Sequence, residues 1–498
     1  MQPVPATVLS RLDLEQAARQ EAGATEALMP TAPGTVQLAQ NAAPFASWLA
    51  GQLQAGLVPC RGLIVAVAKP DTGIRPVAAW GLAERVTYRA LTDLLMSEAK
   101  YEGGRSPEAH AEFSYAPLAH ALTRGRRPDA PKEQQWPHSA AVQYVVRADV
   151  AAFYDYIDHD ILARELLLRA ADHAAITCLL ELLFEVQGRR YGLPQLLEPS
   201  DRLSDLYAAR ILRALRRKQW AAWRYNDDFR IATDTFEDVK RSLDDLAAAA
   251  RDNGLVLNES KTRTPSFATY WEDNEIPDYD DSADTDPQWA IDVLNATVTP
   301  RDLAAGSTAT GQIPLHEADR GVIRKIRRAL IRLADPPEPQ AITVLPKLEN
   351  IVAFVSSSTP YALAYLQAMA HTNRSAVVTS LTALIADVSL SGWQRLCLLR
   401  AIHELGLTDA DPFSTWVTDH RAQRYEPAVR AEAALVLAAA NKIDAPEVIR
   451  ALDEEPSALA SWYLVALRHL HSHGTVSPEA YDAVRDESGL YAAILARP

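Results

Sequence analysis

The sequence predicts an α+β domain followed by an all-α array of helical repeats. Between about residues 41 and 300, short β-branched and aromatic runs alternate with helical stretches, which is typical of an α+β domain. After about residue 310, amphipathic helical stretches follow one another. Two of these, which begin at Ser391 and Glu426, lie about 35 residues apart, the length of a helix pair in an α-solenoid. A plain helical bundle is the alternative for this part.

Changes in composition divide the chain into three parts, residues 1–40, 41–300 and 301–498. The first part combines a helical stretch, Leu9–Ala22, with several prolines, and we interpret it as an N-terminal arm. Near the end of the second part, Glu272–Asp286 carries eight carboxylates and no basic residue, which is typical of a solvated loop. After about residue 310 we expect no strand. The helices of the third part are predicted over residues 343–355, 360–370, 375–388, 391–405, 426–441, 446–453 and 457–471.

Composition and charge exclude several classes of protein. With 48% hydrophobic and 23% charged residues, the 498-residue chain is expected to fold rather than stay disordered. A net charge of −14 argues against a protein that coats nucleic acid by bulk electrostatics, although it allows a local basic channel. The three cysteines lie far apart, which supports neither a disulfide framework nor a zinc cluster. Without a stretch of ~20 apolar residues or a signal-peptide pattern, we expect no membrane association and a cytoplasmic location.

A buried strand is predicted over Tyr144–Val150, where only Arg147 and Asp149 interrupt a β-branched, apolar run. Asp149 lies near the end of this strand and is followed by an aromatic pair, Phe153 and Tyr154. A lone carboxylate on a core strand is costly unless it is paired or binds a metal. Asp149 is therefore a candidate metal ligand.

A β-hairpin is predicted around Asn226, Asp227 and Asp228, because aromatic and β-branched residues flank this polar tip. Two adjacent carboxylates at a hairpin tip repel each other, and a divalent cation would relieve that repulsion. With Asp149 beside Asp227, the site would offer the hard oxygen ligands that Mg²⁺ prefers. Two such ions could support an in-line phosphoryl displacement.

A third segment, Tyr191–Lys218, opens with a Gly-Leu-Pro turn and continues as a helix rich in leucine and arginine. Six basic residues lie between Arg202 and Lys218. Through Arg210 and Arg213, this helix is a candidate contact for a nucleic-acid backbone. The alternative is an ordinary basic, solvated helix face.

Together these motifs resemble the palm of reverse transcriptases, specifically of the retron, group II intron and abortive-infection branch. The shared order is D-x₃-F-Y from Asp149, G-L-P-Q from Gly192, Y-x-D-D from Tyr225, and L-N-x-x-K-T from Leu257. Upstream, residues 66–91 are similar to the fingers of the same family, with a Lys-Pro…Arg-Pro strand pair before a helix. The resemblance implies a right-hand polymerase fold, with fingers and palm in residues 41–300, followed by HEAT-like repeats.

The resemblance also implies roles for individual residues. The catalytic carboxylates would be Asp149, Asp227 and Asp228, and with Val150 they would hold Mg²⁺, or alternatively Mn²⁺. Tyr154 would act as a steric gate against a ribose 2′-hydroxyl. The residues implied for dNTP binding are Lys69, Arg75, Phe153, Tyr154, Gln195 and Lys261.

A basic amphipathic helix, Arg320–Leu333, follows the palm. Its apolar face is predicted to consist of Ile323, Ile326, Leu330 and Leu333. Arg324 and Arg328, on the basic face, are candidate nucleic-acid contacts in a thumb laid along the nascent strand. The alternative is a salt-bridged cap on the helical array.

Two positions depart from the family pattern. Leu196 stands where the family usually has glycine, and a side chain there would crowd the template groove. Asn226 replaces the usual small residue of the Y-x-D-D turn, which is a milder change. Neither departure affects the metal ligands.

The expected function is that of a DNA polymerase of the reverse transcriptase family acting in antiphage defence, by abortive infection. Relatives with a palm and a C-terminal helical array make DNA without a conventional template, some from a protein hydroxyl, and some form homo-oligomers. The expected partners are dNTPs, nascent DNA and a non-coding RNA. Which tyrosine would prime is open, with Tyr279 an exposed candidate. The alternatives are a conventional RNA-templated enzyme with a cognate RNA, and a catalytically silent helical-repeat interaction protein.

Overall fold

The computed structural model describes residues 1–24, 28–70, 73–97, 106–124, 142–274, 286–304, 311–386 and 389–496. Most of the predicted acidic segment, including Tyr279, lies outside these residues. In the first part of the chain the α-helices are α1 (Ala6–Leu9), α2 (Leu14–Gly23), α3 (Thr35–Gln40), α4 (Ala42–Ala55), α5 (Leu82–Met96), α6 (Pro107–Arg124), α7 (His159–Ala170), α8 (His173–Gln187), α9 (Glu198–Arg217), α10 (Phe236–Arg251) and α11 (Phe267–Asn274). The strands are β1 (Leu63–Ala68), β2 (Ile74–Ala79), β3 (Tyr144–Asp149), β4 (Ala221–Tyr225) and β5 (Asp228–Thr233).

The later part of the chain is almost entirely helical. Its α-helices are α12 (Pro287–Asn295), α13 (Pro300–Ala304), α14 (Arg320–Ala334), α15 (Leu348–Phe354), α16 (Thr359–Ala370), α17 (Arg374–Ala386), α18 (Gly392–Glu404), α19 (Phe413–Asp419), α20 (Pro427–Ala439), α21 (Ala445–Glu454), α22 (Ala460–Ser472), α23 (Pro478–Arg485) and α24 (Gly489–Ile494). Two strands of two residues each, β6 (Thr297–Val298) and β7 (Ile313–Pro314), pair in parallel. The expectation that strands end before residue 310 is therefore wrong by this one short pair.

The chain forms two compact units that are discontinuous in sequence. The first, here called the palm unit, consists of Met1–Leu12, Gln54–Pro59 and Thr87–Asp278. The second, here called the helical unit, consists of Asp13–Leu53, Cys60–Val86 and Tyr279–Pro498. The β1–β2 hairpin and helices α2 to α4 thus belong to the helical unit. The predicted domain boundaries at residues 40 and 300 stay predictions.

The palm unit is built on an antiparallel sheet with the strand order β3–β5–β4. In its register, Val145 pairs with Ala232, Arg147 with Arg230, and Asp149 with Asp228. Because side chains alternate across a strand, these odd-numbered residues of β3 and their even-numbered partners on β5 share one face. The predicted strand and hairpin are both confirmed.

Helices cover both faces of this sheet. On the face of Val145 and Ala232, α6 contributes Leu118 and Ala121 to a core that also contains Phe267 and Tyr270. On the opposite face, Arg224 of β4 bonds Asp205 of α9. The aromatic ring of Phe236 at the start of α10 likewise packs against Tyr144, whose side chain belongs to that second face. Packing on both faces fixes the sheet register, since a slip of one residue would exchange the two faces.

The helical unit matches most of the helices predicted from periodicity. Helices α16, α17, α18, α20, α21 and α22 begin and end within a few residues of the expected bounds. The first predicted stretch, 343–355, is instead shared between a 3₁₀ segment, Pro339–Lys347, and α15. Helices α19, α23 and α24 were not expected, because they have only six to eight residues and show little periodicity.

The basic helix α14 buries the four apolar residues of its predicted face, each at 4% exposure or less. Its side chains Arg324 and Arg328 are exposed. Arg327 is half-buried instead, donates to the carbonyl of Ser357 at 2.8 Å, and lies 5.3 Å from the ring centre of Tyr361. The amphipathic prediction is confirmed, whereas the role of the exposed arginines stays a prediction.

A buried carboxylate joins three helices of this unit. Glu432 of α20 is 0% exposed and accepts from both Nε and Nη2 of Arg400 on α18, at 2.6 and 3.0 Å. It also accepts from Nε1 of Trp462 on α22, at 2.8 Å. Both carboxylate oxygens are therefore satisfied, which a buried charge requires.

We expect Glu432→Ala to lower the free energy of unfolding of the helical unit by about 3–5 kcal/mol, because it leaves the half-buried Arg400 guanidinium and the buried Trp462 indole N–H without their acceptor. The matched control is Glu447→Ala. Glu447 pairs with Arg421, but its carboxylate side chain is 43% exposed. That change should cost about 1 kcal/mol or less. Urea unfolding followed by circular dichroism measures both, and equal losses would contradict the joining role of Glu432.

Candidate active site

Three carboxylates converge at one end of the palm sheet. The register places Asp149, the last residue of β3, directly opposite Asp228, the first residue of β5. Asp227 lies in the two-residue turn between β4 and β5, and its carbonyl accepts from the backbone N–H of Val150 at 3.1 Å. Ligand oxygens of Asp149, Asp227 and Asp228 all lie within 4.8 Å of one another. The structure therefore brings together the three carboxylates among the four residues predicted to hold a metal, and Val150, the fourth, directly follows Asp149.

The turn that carries Asp227 is stabilised by the ion pair between Arg224 and Asp205. Asn226 has a φ of 51°, in the left-handed region that asparagine tolerates better than most residues. Arg224 donates to the carbonyl of Asn226 at 2.8 Å and to Oδ1 of Asp205 at 2.9 Å. These bonds fix the backbone on which Asp227 is carried.

Burial and mutual repulsion make this site unfavourable for carboxylates without a cation. Burial, followed by the charges of Asp149 and Asp228, raises the pKa of Asp227 to about 6. Burial also raises the pKa of Asp228, against the opposing effect of Arg230, whose Nη1 lies 3.9 Å from Asp228 Oδ1. A hard divalent cation would offset the repulsion between such closely spaced carboxylates, so the arrangement fits a metal site.

Asp149 has two partners from the segment after α10. Lys261 Nζ lies 2.6 Å from its Oδ1, and the Asn258 side-chain amide donates to its Oδ2 at 3.0 Å. The Asn258 backbone N–H also donates to the carbonyl of Asp149 at 2.7 Å. Lys261, predicted to bind dNTP, thus contacts a predicted metal ligand in this structure.

The predicted sugar gate lies in a short 3₁₀ segment, Phe153–Tyr156, just after β3. Phe153 is 3% exposed, and its ring centre lies 5.6 Å from that of Tyr154. The Tyr154 hydroxyl donates to Oδ1 of Asp201 on α9 at 2.6 Å. This hydrogen bond holds the Tyr154 ring in one place relative to α9.

The Gly-Leu-Pro-Gln turn packs against the same 3₁₀ segment. Gly192 has a φ of 85°, and a Cβ there would meet the Asp155 carbonyl at 3.1 Å, so glycine is required. The Gln195 amide donates to Oδ1 of Asp155 at 3.3 Å. Leu196 has a φ of 69°, which explains why glycine suits this position in the family pattern.

The remaining predicted residues lie on other elements than the carboxylates. Lys69 and Arg75 flank the turn of the β1–β2 hairpin in the helical unit, and the Lys69 N–H donates to the Gly73 carbonyl at 2.9 Å. Arg210 and Arg213 of α9 both bond the buried carboxylate of Glu165, Arg210 at 2.9 Å. Their predicted contacts with nucleic acid, and those of Arg324 and Arg328, stay predictions.

Sequence reasoning missed the residues that support the site. Asn258 belongs to the L-N-x-x-K-T motif, so its spacing from Lys261 could have drawn attention to it. Asp201, Asp205 and Arg224 carry no comparable signal. Their roles arise from contacts between α9 and the sheet, which single-sequence patterns do not record.

The antiparallel sheet with a carboxylate trio at one end has the arrangement expected from the sequence for a polymerase palm. Residues 67–287 match the family model of the reverse transcriptase (RNA-dependent DNA polymerase) domain. This span contains the β1–β2 hairpin from Val67 onward and every residue of the carboxylate trio. This part of the chain is therefore similar to a reverse transcriptase domain, which agrees with the palm and fingers expected from the sequence.

Solved structures of two telomerases are similar to parts of the chain. The telomerase from Candida albicans in complex with a fragment of telomeric RNA aligns with 72% of this chain and 63% of its own, at 11% identity and a TM-score of 0.32. The apo telomerase from Candida tropicalis aligns with 84% of this chain and 73% of its own, at 12% identity and a TM-score of 0.32. The chain thus spans less than two thirds of the Candida albicans protein. Among curated protein sequences, none matches the chain significantly.

Because the backbone at Leu196 is left-handed, we expect two substitutions there to change the free energy of unfolding in opposite directions. Leu196→Gly relieves about 1–2 kcal/mol of backbone strain and loses about 0.5–1 kcal/mol to chain entropy, so stability should rise slightly. Leu196→Val should lower it by about 1 kcal/mol or more, because a β-branched residue tolerates this conformation least. Urea unfolding of both variants is the measurement. A valine variant as stable as the unsubstituted protein would show that the left-handed conformation is not maintained.

The raised pKa of Asp227 predicts that Asp227→Asn stabilises the metal-free protein. Between pH 4 and 6 the folded protein retains a proton that the unfolded chain, with a pKa near 3.8, has lost, so stability falls as pH rises through this range. At pH 7 in a chelator the free energy of unfolding of the variant should exceed that of the unsubstituted protein by about 3 kcal/mol, and at pH 4 the difference should nearly vanish.

A surface carboxylate provides the control for this measurement. Asp245 accepts from Lys218 Nζ at 2.6 Å and from Trp220 Nε1 at 2.7 Å, and the Lys218 hydrogen bond lowers its pKa. Asp245→Asn should therefore be less stable than the unsubstituted protein at neutral pH, opposite to Asp227→Asn. Equal signs for the two variants would refute the electrostatic account of the trio.

Proposed function

We propose that this protein is an RNA-directed DNA polymerase that adds deoxynucleotides by metal-dependent nucleotidyl transfer. The observation that carries the proposal is the convergence of Asp149, Asp227 and Asp228 within 4.8 Å inside a reverse transcriptase domain. The reaction joins a 3′-hydroxyl to the α-phosphate of a dNTP and releases pyrophosphate. Chemistry of this kind depends mainly on positioning and on charge neutralisation.

The trio would hold Mg²⁺, with Mn²⁺ as an alternative. When bound, such cations supply charge neutralisation at the phosphates and lower the pKa of the attacking hydroxyl. Asp227 and Asp228 contribute carboxylates whose pKa values are raised first by burial and then by the neighbouring carboxylate charges. Lys261, 2.6 Å from Asp149, orients that carboxylate.

Tyr154 would select deoxynucleotides by a clash with a ribose 2′-hydroxyl. Its hydrogen bond to Asp201 supports this role, because a steric gate must be held firmly to exclude one hydroxyl group. Lys69 and Arg75 would bind the triphosphate, and Gln195 would line the nucleotide pocket. Arg324 and Arg328 would contact the nascent strand.

We further propose that the enzyme acts in antiphage defence. The support is its organisation, in which a reverse transcriptase palm is followed by successive packed helices, the arrangement that HEAT-like repeats would have. Leu196, which adds a side chain where the template groove is expected, favours synthesis without a conventional template. Priming from a protein hydroxyl, a non-coding RNA partner and assembly into a homo-oligomer belong to the same proposal.

Two alternatives make different predictions. A conventional reverse transcriptase with a cognate RNA would extend only a supplied or co-purified template. A catalytically silent interaction protein would incorporate nothing, and the net charge of −14 together with Leu196 favours it to a limited degree. The complete carboxylate trio argues against the silent protein, because the site is unfavourable for a protein that does not use it.

The test is incorporation of labelled dNTPs by the purified full chain with Mg²⁺, first without template or primer and then with an RNA–DNA hybrid. Products are separated on a denaturing gel before and after protease treatment. Asp227→Asn should abolish incorporation while the fold is retained, whereas Asp245→Asn, a surface aspartate substituted in the same way, should keep it.

Each outcome separates the candidates. Label that migrates with the protein and is released by protease supports protein-primed synthesis, and prior nuclease treatment shows whether a co-purified RNA is the template. Extension of the hybrid alone supports a conventional reverse transcriptase. Incorporation retained by Asp227→Asn, or none by the unsubstituted protein under either condition, would overturn the polymerase assignment.

A further inference from the structure

Apart from the carboxylate trio, the palm unit contains a polar cavity, formed by helices α7, α9 and the end of α10. Its volume is about 490 Å³, and its lining includes Glu165, Arg169, Arg210, Arg213, Arg217 and Asn253. Helices α9 and α10 pack on the sheet face opposite to Asp149 and Asp228, as the contacts of Arg224 with Asp205 and of Tyr144 with Phe236 show. The cavity is therefore separate from the carboxylate trio.

Positive charge is concentrated in this cavity. Its four arginines face two carboxylates, Glu165 and Asp252. Glu165, 3% exposed, bonds both Arg210 and Arg213, so one negative charge is shared by two guanidinium groups. Within the described ranges, Arg169 and Arg217 form no ion pair, and both are exposed. On a chain with a net charge of −14, this is a local excess of fixed cations that a solvated helix face does not require.

The cavity also has features that suit more than a simple anion. Leu168, on its rim, is 78% exposed and presents an apolar surface beside the arginines. Asn253 is 4% exposed, yet its side-chain oxygen is buried without a hydrogen-bond partner in the described part of the chain. An unsatisfied buried acceptor is unfavourable unless a ligand or water donates to it. The lining thus combines guanidinium groups with an apolar contact, beside a buried asparagine oxygen that lacks a partner.

We propose that this arginine cavity binds the phosphate of a nucleotide, either free or as one unit of an RNA strand. Guanidinium groups bind phosphate oxygens through paired hydrogen bonds, and Arg169 and Arg217 have donors free to do so. Leu168 would contact the sugar or base. The cavity would hold its ligand on the side of the palm away from the chemistry, so it does not depend on the proposed polymerase activity.

The test uses the full chain carrying Asp149→Asn and Asp227→Asn, in chelator, so that metal-dependent binding at the trio does not contribute. Two probes are titrated by fluorescence anisotropy, a labelled 12-nucleotide single-stranded RNA and a labelled nucleoside triphosphate. The double substitution Arg169→Glu and Arg217→Glu is compared with Lys240→Glu and Arg241→Glu. The control pair makes the same change in net charge at exposed positions in the first turns of α10, away from the cavity.

We expect the cavity variant to bind at least one probe tenfold or more weakly, with the control pair unchanged to within twofold. For RNA, losing two phosphate contacts should also reduce the slope of log affinity against log salt by about 1.4. Loss confined to RNA identifies a strand as the ligand, and loss for the triphosphate identifies a free nucleotide. Unchanged binding of both probes, or equal losses in the cavity and control variants, would overturn the proposal.

Retention of the fold is checked on the same proteins. Because Arg210 and Arg213 keep their bonds to Glu165, the cavity variant should unfold at the same urea concentration as the unsubstituted protein. With the aspartates restored, extension of a short RNA–DNA hybrid should be unchanged. A variant that lost both extension and binding would show that the arginines serve the carboxylate site after all, which would also overturn the proposal.

Discussion

The antiparallel pairing of β3 with β5 is the constraint on which the candidate site depends. It brings Asp149 and Asp228 opposite each other, and opposite residues in such a pair have Cβ atoms about 4.5–5.5 Å apart. Shifting the register by one residue would turn one carboxylate toward the other face of the sheet. The apolar pairs behind them, such as Val145 with Ala232 and Val146 with Ile231, hold the register by being buried on both faces. Hydrophobic packing thus stabilises an electrostatically unfavourable arrangement.

Local patterns in the sequence predict the parts of this arrangement that depend on neighbours along the chain. The alternation around Asp149, the aromatic residues around Asn226 and the apolar spacing of α14 each predict an element that the structure contains. The order of the motifs, compared with a known family, then identifies which carboxylates belong together. The sequence alone therefore predicts which three aspartates form the trio. Their geometry follows from the strand register.

Other features depend on contacts between residues distant in sequence. Asp201 holds Tyr154, and Asp205 holds Arg224, through helix–sheet packing that no period of 2 or 3.6 residues reveals. The spread of the helical unit over three segments of the chain could not be predicted either, because an N-terminal stretch and a C-terminal array show no sequence sign of packing together. One contact between these two stretches is the hydrogen bond that the Trp393 indole N–H donates to the carbonyl of Leu28, at 2.7 Å.

The discontinuous helical unit has a consequence for the order in which the protein is made. Thr87–Asp278, the main segment of the palm unit, is continuous, so it can begin to pack while later residues are still being synthesised. The β1–β2 hairpin is translated earlier but belongs to a unit whose largest segment, from Tyr279 onward, comes last. A nascent chain would therefore assemble its carboxylate trio before the hairpin bearing Lys69 and Arg75 has its packing partners. The packing of that hairpin is thus tied to the folding of helices translated long after it.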